Sequence, residues 1–153
     1  MNQMGIEENI KQKSFSSEVE KAMVNLSYTQ SYMSSKINAA LKPHKISSQQ
    51  FNVLRILKGQ HPDPVSINDI TSRMVDKMSN ASRLVDKLCK KELIIRSSCA
   101  HDKRQVDVNI TEAGQQLLLE LNSRIREVIN EHSHLTDDEY KTLNELMDKF
   151  RLD

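Results

Sequence analysis

Cations recur through the middle of this chain at spacings suited to gripping a polyanion. Arg83 and Lys87 stand one helical turn apart, Lys90 and Lys91 follow, and beyond Arg96 comes the run His101-Asp102-Lys103-Arg104. Arg and Lys neutralise phosphates and reach the acceptor-rich edge of guanine. Ser79, Asn80 and Ser82 offer short donors and acceptors in the same segment, and Lys77 stands at its entrance. The chemistry is that of duplex nucleic-acid recognition, although Asn80 or Ser82 taken singly reads more simply as a solvated helix position. Covalent chemistry has no comparable support. No Ser-His-Asp set, glycine-rich phosphate loop or paired-carboxylate arrangement can be placed, so no enzymatic activity is expected. His132 and His134 lie near Glu131, but residues two apart on a helix do not share a face, and no dense Cys/His pattern exists, so neither metal nor cofactor is expected.

The elements that must hold these groups follow from hydrophobic period and caps. Ser66 caps a short helix over Ile67–Met74, a turn falls near Asp76, and Ser79 is expected to cap a second helix running to about Lys91. Two short helices so joined form a helix-turn-helix, whose second member carries Asn80, Ser82, Arg83 and Lys87 outward. Leu84, Val85 and Leu88 make its apolar stripe. Leu93–Arg96 reads as a short strand, and in Gln105–Ile110 apolar and polar residues alternate as in a strand covered on one face. The loop between them, 97–105, exceeds the roughly 2–5 residues that close a hairpin, which makes the basic tip a wing. A winged helix-turn-helix lobe over about 47–110 results, mainly α with a small antiparallel β-hairpin.

Long helices flank this lobe. Phe15, Val19, Ala22, Leu26, Met33, Ile37 and Ala40 recur in 3- and 4-residue steps after a polar start that is expected to fray, and Pro43 ends the run. Ser47 and Gln50 form a capping box before a helix striped by Phe51, Leu54 and Leu57, which Pro62-Asp63-Pro64 breaks. Thr111 caps a helix with Leu117, Leu118, Leu119, Leu121, Ile125, Val128 and Ile129 on more than one face. Thr136 and Glu139 start a last helix with Leu143, Leu146, Met147 and Phe150 in its seam. These helices, about 14–42 and 111–151, offer more apolar surface than a small lobe covers, so a homodimer with an intertwined N- and C-terminal stem is expected. One domain spanning 1–153 accommodates everything.

Composition sets the limits. Aromatic residues are 4% with no Trp, too few for a platform that stacks single-stranded bases. The formal charge of +1 hides an asymmetry: residues 1–65 carry 8 cations against 5 anions, 66–111 carry 9 against 6, and 112–153 carry 5 against 10. A basic part can dock on phosphate while an acidic part is kept away, though solvated helix faces would give the same split. The N-terminus lacks the basic start and apolar run of a secretory signal, and no stretch approaches the roughly 18–20 apolar residues of a membrane span. A cytoplasmic protein with thiols at Cys89 and Cys99 is expected.

Ser82-Arg83-Leu84-Val85-Asp86-Lys87-Leu88, Asp102-Lys103-Arg104 and Ile110-Thr111-Glu112-Ala113-Gly114, with Ser47–Leu54 upstream, resemble in order and spacing the MarR family of bacterial transcriptional regulators, the multiple-antibiotic-resistance type. The likeness spans about two thirds of the chain. It implies a homodimeric regulator, usually a repressor, with Arg104 in a minor groove beside Asp102 and a small-molecule pocket between stem and lobe. Tyr28, Tyr32, Met33, Phe51 and Arg55, on the first two long helices, are its candidate lining for a small aromatic or amphipathic effector. Members commonly have Gly after the basic pair that closes the recognition helix, where this chain has Glu92. A non-Gly residue in a left-handed cap costs roughly 1–2 kcal/mol, so the approach to the wing is expected to be built differently. Two alternatives stay open at this point: a winged helix that binds only protein, and a regulator that senses oxidants. For the latter, a thiol at Cys89 beside Lys90, Lys91 and Arg96, or at Cys99 in the wing, could have a lowered pKa. Against it, Cys89 fits equally as a small core residue, and sensors of this family more typically carry their cysteine in the first helix.

Overall fold

The computed structural model describes residues 5–98 and 106–152, with only the backbone of Ser98. Among the described residues seven α-helices and three short strands run in the order α1 (Ile6–Ile10), α2 (Glu18–Leu41), a 3-10 turn (Lys42–His44), α3 (Ser48–Gln60), β1 (Val65–Ser66), α4 (Ile67–Arg73), α5 (Ala81–Cys89), β2 (Ile94–Ser98), β3 (Val106–Ile110), α6 (Glu112–Glu131) and α7 (Asp137–Phe150). The mainly helical fold with a small antiparallel hairpin agrees with the sequence pattern.

Side-chain caps set most helix starts. Ser47 accepts from the Gln50 N–H while Gln50 returns a bond to the Ser47 N–H, and Thr136 and Glu139 repeat the arrangement at α7. Each reciprocal pair satisfies two of the amide groups that a helix start leaves bare. Ser66 and Thr111 cap α4 and α6 from the Asp69 and Gly114 N–H groups. The N-terminal stretch departs from its expected frayed state. It forms α1, anchored by Ile6, only 6% exposed, and by a 2.6 Å ion pair from Glu7 to Lys21 of α2. Lys21 holds the Glu7 carboxyl below its usual range. Two isoleucines, Ile6 and Ile10, in a polar run are too few to show a helical period. Phe15 also falls outside the first long helix, because Ser17 caps α2 from the Glu20 N–H at 3.1 Å.

β3 is the central strand of the sheet, paired antiparallel with β2 over Ile94↔Ile110, Arg96↔Val108 and Ser98↔Val106, and with β1 over Val65↔Val108. β1 was not legible locally: two residues acquire strand character only because β3 pairs them. The continuous core joins Leu54 and Leu57 of α3, Ile70 of α4, Val85 and Leu88 of α5, Ile94 and Val108 of the hairpin, and Leu118 and Leu121 of α6. Burial of this order is what holds the lobe together, at roughly 1.5–3 kcal/mol for each large side chain.

The long helices behave differently. In α2 only Leu41 is buried, in α7 no residue is, and the outer face of α6 leaves Leu119 63% exposed. Val19 of α2 is 71% exposed and Phe150 of α7 is 58% exposed. Among the described residues no helix is long and apolar enough to cross a membrane.

Candidate nucleic-acid interface

α5 is strongly amphipathic. Ala81, Val85 and Leu88 are buried, Leu84 and Cys89 pack partly against the core, and Ser82, Arg83, Asp86, Lys87 and Lys90 face solvent. Arg83 and Lys87 make no ion pair with any described residue. They are cations on a rigid face with their charge unspent, which suits phosphate or a guanine edge.

The turn that delivers α5 is pinned at several points. Asn52 Oδ1 of α3 accepts from the Val75 N–H at 2.9 Å. Asp76 accepts from the Met78 N–H at 3.0 Å, from the Ser79 hydroxyl at 2.8 Å and, through its carbonyl, from the Ser79 N–H at 3.2 Å. Lys77 Nζ donates to the Ser72 carbonyl. Here the expected cap is corrected. Asn80, not Ser79, caps α5, its Oδ1 accepting from the Arg83 N–H at 3.0 Å. Ser and Asn cap about equally well, so residue type alone could not decide between neighbours, and Asp76 draws Ser79 into the turn. Among the described residues the Asn80 amide NH2 has no hydrogen-bond partner.

The wing is clamped to α5. Arg96 of β2 sends Nη1 to Asp86 Oδ1 at 2.6 Å and donates Nη2 to the Ser82 carbonyl at 3.3 Å. Arg96, expected simply to face nucleic acid, therefore also braces strand against helix. Sequence reading missed Asp86 as its partner, since the two lie in different elements and no local pattern joins them.

The exit from α5 retains the left-handed cap despite lacking glycine. Glu92 sits at φ 58°. The Leu93 N–H reaches the Leu88 carbonyl at 3.2 Å and the Glu92 N–H the Cys89 carbonyl at 2.9 Å, the paired bonds of a Schellman ending, with buried Leu93 and Leu88 at its apolar contact positions. The expectation of a differently built approach is thus overturned: the turn keeps its shape and accepts a strain of roughly 1–2 kcal/mol. Thr111 secures it from the other side, donating its N–H to the Leu93 carbonyl at 3.1 Å and its hydroxyl to the Glu92 carbonyl at 2.8 Å. Gly114 follows necessarily, because a Cβ there would lie 2.1 Å from the Leu93 carbonyl oxygen. The Thr-Glu-Ala-Gly segment is the joint between α5, the β2–β3 hairpin and α6.

β2 and β3 end opposite each other at Ser98 and Val106, so the basic tip departs from a paired, braced hairpin. Cys99, His101, Asp102, Lys103 and Arg104 lie outside the described residues. Cys89 is half-buried, and its thiol is pushed up, first by burial, with Arg96 pulling it down and Asp86 raising it further. Burial therefore works against the lowered pKa that oxidant sensing at Cys89 would need.

The effector-pocket residues are spread out. Phe51 is core, with the exposed Arg55 guanidinium 5.8 Å above its ring. Tyr32 meets His132, at the end of α6, edge-on at 5.6 Å, with Lys36 Nζ 5.3 Å from its ring centre. Tyr28 is exposed and Met33 half-buried on α2. None of the five lines the hollow between α2 and α3 at Lys42, Lys45 and Gln50, nor the one along α7 at Leu143 and Leu146.

Comparison with known proteins gives a consistent result. Residues 46–106 match the model of the MarR family. The chain is 32% identical over 106 residues to the uncharacterized HTH-type transcriptional regulator YpoP of Bacillus subtilis, covering 69% of this chain and 74% of that protein. Among solved structures, a putative MarR-like transcription regulator from Bacillus cereus superposes with a TM-score of 0.78 at 18% identity, covering 88% of this chain and 96% of that one. Bordetella bronchiseptica BpsR, whose DNA binding is regulated by 6-hydroxynicotinic acid, gives 0.74 at 20% identity over 84% of this chain and 91% of its own.

Proposed function

Since the chain belongs to the MarR family of DNA-binding transcriptional regulators, which are not enzymes, we propose that it is a ligand-responsive repressor acting as a homodimer on a pseudo-palindromic duplex operator. The observation that carries this reading is the exposed polar face of α5, with Arg83 and Lys87 unpaired among the described residues, beside a hairpin braced to it through Arg96 and Asp86. Each α5 enters a major groove, where Asn80, Ser82, Arg83 and Lys87 reach base edges and phosphates, and each wing brings His101, Lys103 and Arg104 to the neighbouring minor groove with Asp102 orienting Arg104. Lys77 and Ser79 serve at the entrance of the helix.

The uncovered seams of α2, α6 and α7 support a second copy as their cover. Residues about 14–42 and 111–151 form the stem, and about 47–110 each DNA-binding lobe. Two lobes on one stem fix a half-site spacing. An effector then acts by binding one separation of the lobes better than the other, as a small acid regulates DNA binding by BpsR. Tyr28, Tyr32 and Met33 on α2, with Phe51 and Arg55 on α3, are the side chains assigned to such an effector on this reading.

The test is binding to duplexes from the chain's own promoter region over a salt series. Arg104→Ala should weaken binding and flatten the salt dependence by about one phosphate contact or less. Unchanged affinity and slope would remove the wing from the interface.

A further inference from the structure

The two most exposed large apolar side chains among the described residues sit together, Val75 at 88% and Met78 at 93%, in the tight turn between α4 and α5. Elsewhere the lobe keeps its large apolar side chains covered, apart from Ile95 and Val106 on the wing strands. Nor is this exposure a loose end. The Val75 N–H is held by Asn52 and the Met78 N–H by Asp76, and Lys77 between them is tied to Ser72. A rigid turn thus presents two apolar groups and one cation to water, two residues before the cap of the recognition helix.

We propose that Val75 and Met78 form an apolar lip that reads thymine methyl groups where α5 enters the major groove. The inference rests on the DNA-binding reading above. The N-terminal end of a recognition helix is the end that approaches the bases, and Asn80 and Arg83 follow immediately. The one apolar feature a base pair presents in the major groove is the thymine C5-methyl. A methyl seated against Met78 or Val75 covers surface that folding leaves bare and discriminates T·A pairs at the groove edge without a hydrogen bond. The seams of α2, α6 and α7 already supply surface for a second copy, so the pair is free for DNA.

The test uses a duplex recovered by the full-length protein from a random-sequence pool, compared with the same duplex carrying deoxyuridine for thymidine, which removes only the methyls. Wild type should bind the deoxyuridine duplex about fourfold more weakly for each methyl contacted, the effect of one buried carbon. Met78→Gln and Val75→Thr, close in shape and fully exposed, should melt as wild type does. They should bind the thymidine duplex several-fold more weakly and show a thymidine preference shrunk to within twofold. Variants that keep the full preference, or bind thymidine DNA as tightly as wild type, overturn the proposal. A loosened dimer with the preference intact overturns it too, assigning the pair to protein contact. If wild type recovers no duplex at all, it is the DNA-binding reading that falls, and this inference with it.

Discussion

The lobe from α3 to β3 and the helices that flank it are built from similar residues and treat them in opposite ways. Leu54, Ile70, Val85, Leu88 and Val108 are sealed from water within one chain. Val19, Leu119, Leu146 and Phe150 hold the same helical spacings and remain in solvent. The lobe, closed by Leu118 and Leu121 of α6, is therefore stabilised within one chain, while the outer faces of α2, α6 and α7 carry apolar area whose free energy is released only when something covers it. That division suits the proposed dimeric regulator, in which a stem changes the distance between two reading surfaces that keep their own shape.

A matched pair of variants tests the contrast where the effects are largest. Leu54→Ala should destabilise the chain by roughly 2–5 kcal/mol, the usual range for a buried leucine, shifting the urea midpoint alike at low and high protein concentration. Leu146→Glu, on α7, should leave secondary structure in place and loosen the proposed dimer at least tenfold in sedimentation, about 1.4 kcal/mol or more. If Leu146→Glu instead unfolds the isolated chain, the stem is core, and the contrast fails.

The joint between the two regions gives the next effect. Gly114→Ala drives a Cβ to 2.1 Å from the Leu93 carbonyl oxygen, which Thr111 already holds. Separating α6 from the end of α5 should destabilise by about 3 kcal/mol. Gly59→Ala, in α3 with nothing within 4 Å of the added carbon, should be neutral or stabilising by about 0.5 kcal/mol. Equal thermal shifts for the two would mean that the joint yields.

The same division explains what was legible in the sequence. The caps Ser47, Ser66, Thr111 and Thr136 were readable because each bonds within three residues of itself, and the hairpin because alternation in Val106–Ile110 is local. The exposed polar face of α5 was visible because Arg83 and Lys87 share a helix. What escaped depends on residues far away in sequence. β1 exists through β3, the Arg96 brace through Asp86, the turn through Asn52, and the choice of Asn80 over Ser79 through Asp76. Period and composition cannot report contacts between elements whose packing is not yet known.

The smallest effect probes how closed the lobe is beside its own interface. Burial raises the Cys89 thiol, the Arg96 charge opposes this, and Asp86 adds to it. A folded pKa above the unfolded one means the group stabilises the fold below the unfolded thiol pKa and loses that contribution as pH rises through the folded value. Thiolate, the reactive form, is then scarcer in the folded chain than in the unfolded one at mildly alkaline pH. In a Cys99→Ser background, which isolates Cys89, iodoacetamide should alkylate native protein several-fold more slowly than urea-unfolded protein at about pH 8. The rate against pH should bend above the usual thiol range. Alkylation at the unfolded rate, with the bend below that range, would show an open, activated thiol on α5. The lobe would then share the stem's incompleteness, and oxidation would return as a signal at α5, the helix proposed to face DNA.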